Sequence, residues 1–303
     1  MLASPFDMEA PPMNRHTSAA TAFVLSVFMM FAAAAAAAQG INARGRADDD
    51  NGSGNNAPTR GCRELPSHEQ LRQALSAARA QANGGLNLDM WGTIVDRDGV
   101  VCAVAFTGGN RGDQWPGSRV ISAQKASTAN AFSLPDLSLS TANLYTATQP
   151  GGSLFGLQES NPVETAVAYS GSPNRYGLKN DPMVGGRIGG VNVFGGGLAL
   201  YDANGSILGG LGVSGDTSCA DHNIAYRTRN LLELDYVPAG VSGDALRRDT
   251  IIFDVVPQAN GIPNPGQMSG ISPSGFGHAS CHGYNTAGNT ISRGFANTLP
   301  ANR

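Results

Sequence analysis

The sequence predicts an α+β fold, in which a single domain packs helices on an antiparallel β-sheet. Along the chain the pattern reads helix, two strands, helices, three strands and a final helix. A tight turn joins the first two strands, and strands joined by a hairpin cannot be parallel. This order and this connection together favour the α+β class.

The first predicted elements are a helix and a hairpin. The helix begins after Ser67, a good capping residue, and ends at Gly84-Gly85. Apolar residues recur through it at helical spacing: Leu71, Leu75, Ala78 and Ala82. Apolar strands at 90–96 and 100–107 then flank the turn Asp96-Arg97-Asp98-Gly99. Asp-Gly accepts the positive φ that such a tight turn requires.

The middle of the chain predicts two helices and an insertion. Residues 118–132 are helical and rich in Ala and Ser, which favours close packing on the sheet. A further short helix is expected at 137–144. Residues 160–190 are rich in Asn, Pro and Gly with weak periodicity, so we expect a long surface insertion there.

Three more strands precede the last helix. We expect them at 191–194, 198–202 and 206–213. Asp216-Thr217-Ser218 caps a helix over 219–234, and residues 250–256 are a candidate for one extra strand. These elements place one domain at 62–256, followed by a Gly/Asn/Pro-rich tail at 257–303.

The N-terminal segment predicts export. An apolar run at 19–38 follows Arg15-His16 and ends in small residues, which is the order of a secretory signal peptide. We expect a signal peptide at 1–38, cleavage near Ala38 and a true start at Met13. After cleavage we expect a periplasmic or extracellular protein without a membrane span. The alternative is that the segment is not cleaved and stays as an N-terminal anchor.

Composition excludes one class of partner. The formal net charge is −3, charged residues make up 14% of the chain, and no Lys/Arg cluster stands out. The sequence therefore lacks the basic cluster that would bind nucleic acid by neutralising its phosphates. Residues 39–61 have almost no apolar side chains and contain an acidic run, which is typical of a disordered linker.

The cysteines and histidines allow two interpretations. Four cysteines (62, 102, 219 and 281) suggest up to two disulfides, and a Cys219–Cys281 pair would pin the tail to a helix start. Cys102, in an apolar strand, is a candidate buried free thiol. Alternatively, Cys219 and His222 join His278, Cys281 and His282 in a zinc-like set. We favour a disulfide with incidental histidines. No C-x-x-C-H segment for covalent haem attachment occurs.

A glycine-rich segment mimics a dinucleotide-binding fingerprint. Gly210-x-Gly212-x-x-Gly215 follows an apolar strand, and Asp235 lies twenty residues further on. The preceding strands are joined by hairpins, however, so the glycines are better explained by a tight strand-to-helix turn and close helix packing. Ser214 does not complete a G-x-S-x-G motif either, because residue 216 is Asp.

Four segments together resemble the GlcG/HbpS-like family, which includes the C-terminal domain of PduO-type proteins. They are SAQKASTA at 122–129, QPGGSLFGLQ at 149–158, FGGGL at 194–198 and ILGGLGVSG at 207–215. The resemblance covers roughly residues 66–234. It implies a small α+β module with a five-stranded antiparallel sheet, usually oligomeric, and several members are linked to haem or corrinoid-type tetrapyrroles. It brings no single agreed enzymatic activity.

A haem requires an axial donor, usually His, and an apolar slot. His68, in the first turn of the first helix, is the best candidate for the haem iron; otherwise it is an exposed histidine of no special role. Lys125 would face a cleft and pair with a propionate, or else be solvated. Phe194 with Gly195-Gly196-Gly197 would let a flat ligand approach the backbone, or else form a bulged strand corner.

Three functions follow from this sequence, and the first is the one we favour. It is an exported haem- or tetrapyrrole-binding protein, active in haem handling or sensing as a homo-oligomer. The first alternative is a ligand-free oligomeric interaction module. The second is an enzyme or accessory factor that acts on a small organic acid or a corrinoid. We expect binding of a small planar ligand rather than catalysis.

Overall fold

The chain forms a four-stranded antiparallel sheet with helices on both faces. A computed structural model describes residues 61–257, 270–281 and 294–303. The strands are β1 Trp91–Asp96, β2 Val101–Phe106, β3 Gly197–Tyr201 and β4 Ile207–Ser214. They lie in the order β2-β1-β4-β3, and every neighbouring pair is antiparallel. The α+β class is therefore confirmed.

The helices are α1 His68–Arg79, α2 Ser118–Phe132, α3 Tyr145–Thr148, α4 Thr165–Ala168 and α5 Ser218–Leu231. Single 3₁₀ turns lie at Gly61–Glu64, Thr141–Leu144 and Pro173–Arg175. A separate two-residue ladder joins β5 Val256–Pro257 to β6 Gly270–Ile271. The predicted signal peptide, the linker up to residue 60 and His282 lie outside the described residues.

Ser67 caps α1 as the sequence predicts. Its hydroxyl accepts a backbone N–H of the first turn, and its own N–H donates to the side chain three residues later. The helix ends at Arg79, so Ala82 lies beyond it. The side-chain amide of Asn83 donates to the carbonyl of Ala78 at 3.0 Å and takes up one of the carbonyls that every helix end leaves free.

The predicted hairpin between β1 and β2 is confirmed. The Asp96 carboxylate accepts the backbone N–H groups of Asp98 and Val100, and Gly99 adopts a positive φ of 77°. This local network depends on residues within four positions of one another. The turn could therefore be read directly from the sequence.

Helices cover opposite faces of the sheet because its side chains alternate. One core lies between the sheet and the α1–α5 layer and includes Leu71, Leu75, Ile94, Leu198, Leu211 and Ile224. The other lies on the α2 side and includes Trp91, Val95, Val104, Val120, Ala123 and Ile188. Thr93 marks the α2 side of β1, since its hydroxyl lies 2.7 Å from that of Ser122.

Glycines let α2 lie directly on β4. A Cβ atom on Gly210 would overlap the carbonyl oxygen of Ala126, and one on Gly212 would overlap that of Ser122. β4 also has an antiparallel neighbour on each side, so it is not the strand of a dinucleotide-binding unit. The interpretation of these glycines as packing residues is confirmed.

The expected five strands become four, because residues 191–194 form no strand. The Asn192 N–H donates to the hydroxyl of Thr128 on α2 at 3.0 Å, and the Phe194 carbonyl accepts the hydroxyl of Thr141. These backbone groups thus form hydrogen bonds with side chains rather than with a neighbouring strand. The extra strand expected at 250–256 is reduced to Val256, since residues 250–255 lie outside any strand.

Two further expectations need correction. Helix was predicted at 137–144, yet the chain is helical only from Thr141 to Thr148, because Leu137 pairs with Leu134 and the Ser138 N–H donates to the Ala239 carbonyl. The insertion at 160–190 is more than a surface loop. It buries Ala168, Met183 and Ile188 against the sheet.

The described part of the chain contains no helix with the length and apolarity needed to cross a bilayer.

Candidate functional site

His68 lies half-buried at the start of α1 and contacts the 160–190 insertion. Its ring nitrogen Nε2 lies 2.9 Å from the carbonyl oxygen of Gly177. A carbonyl only accepts hydrogen bonds, so Nε2 carries the hydrogen in this contact. Nδ1 then keeps its lone pair. Histidines that bind metals are held in this way, with one ring N–H donated to a carbonyl and the other nitrogen left for the ion.

The position of Gly177 is fixed from beneath by a buried carboxylate. Asp181 accepts the Gly177 N–H at 2.6 Å and forms a two-pronged ion pair with Arg119 of α2. Both charged side chains are buried. Arg119 also donates to the carbonyl of Ala168 at 2.7 Å, so it holds the insertion at two points.

Aromatic rings lie beside this contact. A Cβ atom on Gly177 would overlap the ring of Phe106 and press on that of Trp91, so the backbone passes directly over them. Those two rings meet edge to face with centroids 5.3 Å apart. The Arg119 guanidinium stacks 3.6 Å from the ring centroid of Tyr176. The backbone segment that contacts His68 is thus packed on two aromatic rings.

Lys125 occupies a different place from the one expected. Only 1% of it is exposed, so it neither faces a cleft nor is solvated. Its Nζ donates to the Asp221 carboxylate at 2.7 Å and to the Val213 carbonyl at 3.1 Å. Burial raises the pKa of Asp221 to about 6, against the opposing effect of Lys125. The ion pair joins α2 to α5 across the interior.

The glycines at 195–197 are buried and leave no room for a side chain. Cβ atoms at these positions would overlap the carbonyl oxygens of Ser218, Val213 and Lys125 respectively. Gly196 also needs glycine for its φ of 119°. Of the predicted site residues, Lys125 and Gly196 therefore lie together. His68 contacts Gly177 of the insertion. Phe194, 37% exposed, is the part of this corner that reaches solvent.

All four cysteines form disulfides. The Cys219–Cys281 pair ties the tail to the start of α5, as predicted. Cys102 is bonded to Cys62, so the expectation of a free thiol is wrong. The interpretation that we favour, a disulfide rather than a zinc-like set, therefore holds for Cys219 and Cys281, whose sulfurs are bonded to each other in this oxidised state.

Two buried histidines lie near the second disulfide. His222 accepts the Ile251 N–H through Nε2 at 3.1 Å, while burial lowers its pKa to about 3. His278 is 3% exposed, and burial lowers its pKa to about 4. Within the described residues, Nδ1 of the first and Nε2 of the second have no hydrogen-bond partner.

A shallow groove of about 410 Å³ separates α1 from the end of α5. Pro66, Gln70, Gln73 and Leu231 are among its lining residues. His68 lies on roughly the opposite side of α1 from Gln70 and Gln73, because at about 100° per residue those side chains are turned from it by about 200° and about 140°. The histidine therefore faces the insertion rather than this groove.

Sequence reasoning missed the residues that support His68. Asp181 and Arg119 are separated by 62 residues, and a backbone carbonyl such as that of Gly177 carries no side-chain signature. One signal was available. Arg119 lies in the first turn of a helix that is made mostly of small residues and packs on a sheet, and a long cation there needs a buried partner.

These features define an α+β protein with one antiparallel sheet, helices on both faces and a histidine at the start of its first helix that contacts the Gly177 carbonyl. The chain belongs to the HbpS-like family, described as haem degrading protein HbpS-like, which matches residues 67–229. The resemblance seen in the sequence is thereby confirmed. A search of curated proteins found no match.

Solved structures to which the chain is similar include a complex of PduOC with haem, at 25% identity and a TM-score of 0.38, covering 55% of this chain and 91% of that one. Klebsiella pneumoniae protein ORFY is 23% identical with a TM-score of 0.37, covering 54% and 86%. HbpS is 16% identical with a TM-score of 0.34, covering 55% and 90%.

Proposed function

We propose that this chain is an exported module that binds haem or a related tetrapyrrole, with His68 as the axial ligand of the iron. The contact between His68 Nε2 and the Gly177 carbonyl carries the proposal, because it leaves the Nδ1 lone pair for the metal. Membership of a family described as haem degrading supports haem as the ligand.

The residues of the chain have distinct parts in this proposal. His68 would hold the iron through Nδ1, and Gly177 orients the imidazole. Asp181 and Arg119 hold Gly177 in place from the interior. Bound haem would supply an iron centre for ligand binding or electron transfer.

Phe194 keeps the role of a second apolar contact for the macrocycle, which rests on the resemblance alone, whereas Gly195–197 are buried against neighbouring carbonyl groups and are left out. Phe194 is exposed enough to take part. Lys125 is left out, because its ammonium is already paired with Asp221 in the interior. Its contribution is to the fold.

Titration of the purified chain with haemin, followed by absorbance, tests the proposal. We expect a Soret band that saturates at one haem per site. His68→Ala should shift this band and weaken binding at least about tenfold, as loss of a metal ligand does. His68→Met keeps a donor for iron, so it should retain binding with a changed spectrum.

A control variant lies on the same helix. Arg72→Ala removes an exposed side chain of α1 that contacts Glu69, and it should leave the titration unchanged. If His68→Ala and Arg72→Ala bind haemin as the unmodified chain does, His68 is not the ligand. If the unmodified chain ignores haemin altogether, the haem-binding proposal fails.

A second function, a ligand-free oligomeric interaction module, is favoured by apolar side chains on the insertion. Tyr169 is 65% exposed and Leu178 is 45% exposed. Large apolar groups in solvent often mark contacts between proteins. A colourless chain that ignores haemin but elutes as a defined oligomer would support this function, and dissociation by Tyr169→Ser would locate the interface.

A further inference from the structure

A cluster of two sulfurs and an imidazole lies at the start of α5, away from His68. We propose that the Cys219–Cys281 disulfide is one state of a redox-controlled zinc site. After reduction by a dithiol, Cys219, Cys281 and His278 bind a Zn²⁺ ion. This proposal is independent of haem binding.

The three groups are already close enough. Both sulfur atoms and a ring nitrogen of His278 lie within 4.8 Å of one another. Ligand atoms around a tetrahedral zinc lie about 3.5–3.8 Å apart, given Zn–S bonds of about 2.3 Å and Zn–N bonds of about 2.0 Å. Small side-chain rotations, once the sulfurs separate, would therefore form the site.

The state of His278 points to a ligand. Its Nδ1 lies 2.7 Å from the Ala279 carbonyl, which only accepts, so Nδ1 carries the hydrogen and Nε2 the lone pair. That Nε2 atom is buried and has no hydrogen-bond partner in the described residues. Buried polar atoms are nearly always partnered. This Nε2 atom is the one that binds zinc in the proposed site.

The surroundings of Cys281 favour a thiolate. Its sulfur accepts the backbone N–H of Cys219 at 3.1 Å, in the first turn of α5, and lies 3.4 Å from the Ser218 hydroxyl. Donors at the start of a helix stabilise a thiolate once the disulfide opens. Cys281 is half-buried while Cys219 is buried, so a reductant reaches the pair from the Cys281 side.

The redox step balances with a dithiol. One thiolate of the reductant attacks the Cys281 sulfur, which breaks the Cys219–Cys281 bond and releases Cys219 as a thiolate that takes up a proton. The second thiol of the reductant then loses its proton, displaces Cys281 as a thiolate and closes a disulfide in the reductant. Two electrons pass to the chain. Zinc binding afterwards releases the proton that Cys219 has taken up, while Cys281 binds as the thiolate.

The other disulfide is removed to give the background for the test. Cys62 and Cys102 lie near Asp96, and a group of these three offers no imidazole. The Asp96 carboxylate already accepts two backbone N–H groups of the β1–β2 turn. Removing this pair as C62S/C102S therefore isolates the proposed site.

The experiment uses the full chain carrying C62S/C102S, reduced with dithiothreitol and freed of it without oxygen. Titration with Co²⁺ alone should give one ion per chain, with a thiolate-to-cobalt band and the visible bands of tetrahedral cobalt. Zn²⁺ should displace the cobalt. The oxidised chain should bind none. H278A in the same background should weaken binding at least about tenfold and shift the visible bands.

Several results would overturn the proposal. They are the absence of cobalt uptake after reduction, equal uptake by C219S/C281S, and an H278A variant with unchanged affinity and spectrum. A reduced chain that unfolds with Zn²⁺ present would also overturn it. Should C62S/C102S fail to fold, the difference between the unmodified chain and C219S/C281S gives the same answer. Thermal melting of oxidised H278A checks that this variant folds.

Discussion

Arg119 of α2 and Asp181 of the insertion form a buried ion pair, and the same carboxylate accepts the Gly177 N–H. The Gly177 carbonyl in turn contacts His68. Three contacts thus run from a helix packed on the sheet to the histidine that we assign to iron. The insertion is a structural part of the candidate site, although its sequence resembles a loop.

Asp181→Asn should destabilise the fold strongly. The amide keeps the size of the side chain but removes its charge, which leaves Arg119 buried without a counter-ion. Such a loss typically costs about 3–5 kcal/mol. Urea unfolding followed by circular dichroism measures the change in the free energy of unfolding.

Arg72→Ala is the control for this variant, because it breaks an ion pair whose partners are about half exposed. Pairs of that kind contribute about 0–1 kcal/mol. Equal losses in the two variants would mean that the Arg119–Asp181 pair does not anchor the insertion.

Lys125→Met should destabilise the chain more at pH 8 than at pH 5. Burial raises the pKa of Asp221 to about 6 from its ordinary value of 3.8, so at pH 8 the carboxylate is charged and loses its partner. A loss of about 3–5 kcal/mol is expected there. At pH 5 the carboxyl is largely protonated, so the ion pair is already weakened and its removal costs less.

The double variant Lys125→Met/Asp221→Asn leaves no buried charge in this pair. It should recover much of the stability at pH 8. Thermal melts at both pH values test both statements. A loss independent of pH would show that Lys125 acts through packing alone.

Elements controlled by near neighbours could be predicted from the sequence. Ser67, the Asp96–Gly99 turn and the Thr217 cap are set by residues a few positions away, and all occur as expected. The strand expected at 191–194 differs in this respect. Whether 191–194 joins a ladder depends on Thr128 and Thr141, which lie on other elements.

The candidate site was predictable only in part. The place of His68 in the first turn and the family resemblance select it as a candidate ligand, a role that stays a prediction. Lys125 was recognised as unusual, yet its partner Asp221 lies 96 residues away, and no local pattern connects the two. The Gly177 carbonyl is a backbone group whose position depends on tertiary packing.

His222 should make the fold sensitive to acid. Burial lowers its pKa to about 3, helped by His278, Arg229 and Lys125 and opposed by Asp249. The unfolded chain takes up a proton near pH 6.5 and the folded chain does not. This contribution to stability is therefore complete above pH 6.5 and is lost as the pH falls towards 3, at about 1.4 kcal/mol per pH unit.

His222→Gln removes that titration while offering an oxygen to the Ile251 N–H. Between pH 4 and 6 its free energy of unfolding should fall less steeply with acid than that of the unmodified chain. The two slopes should differ by up to about 1.4 kcal/mol per pH unit, the contribution of one proton. Between pH 7 and 8 the two slopes should agree. Parallel curves at all pH values would contradict the assignment of a neutral, buried His222.

Gly212→Ala should disrupt the contact between α2 and β4. The added methyl group would overlap the Ser122 carbonyl and press on the Ala126 nitrogen, which are backbone atoms and cannot rotate away. Overpacking of a rigid core costs about 1–3 kcal/mol or more. Gly117→Ala is the control, because nothing lies within 4 Å of its added atom and its φ is −64°. It should change the free energy of unfolding by less than about 0.5 kcal/mol. If both variants melt at the same temperature, the close approach of α2 to β4 does not require glycine.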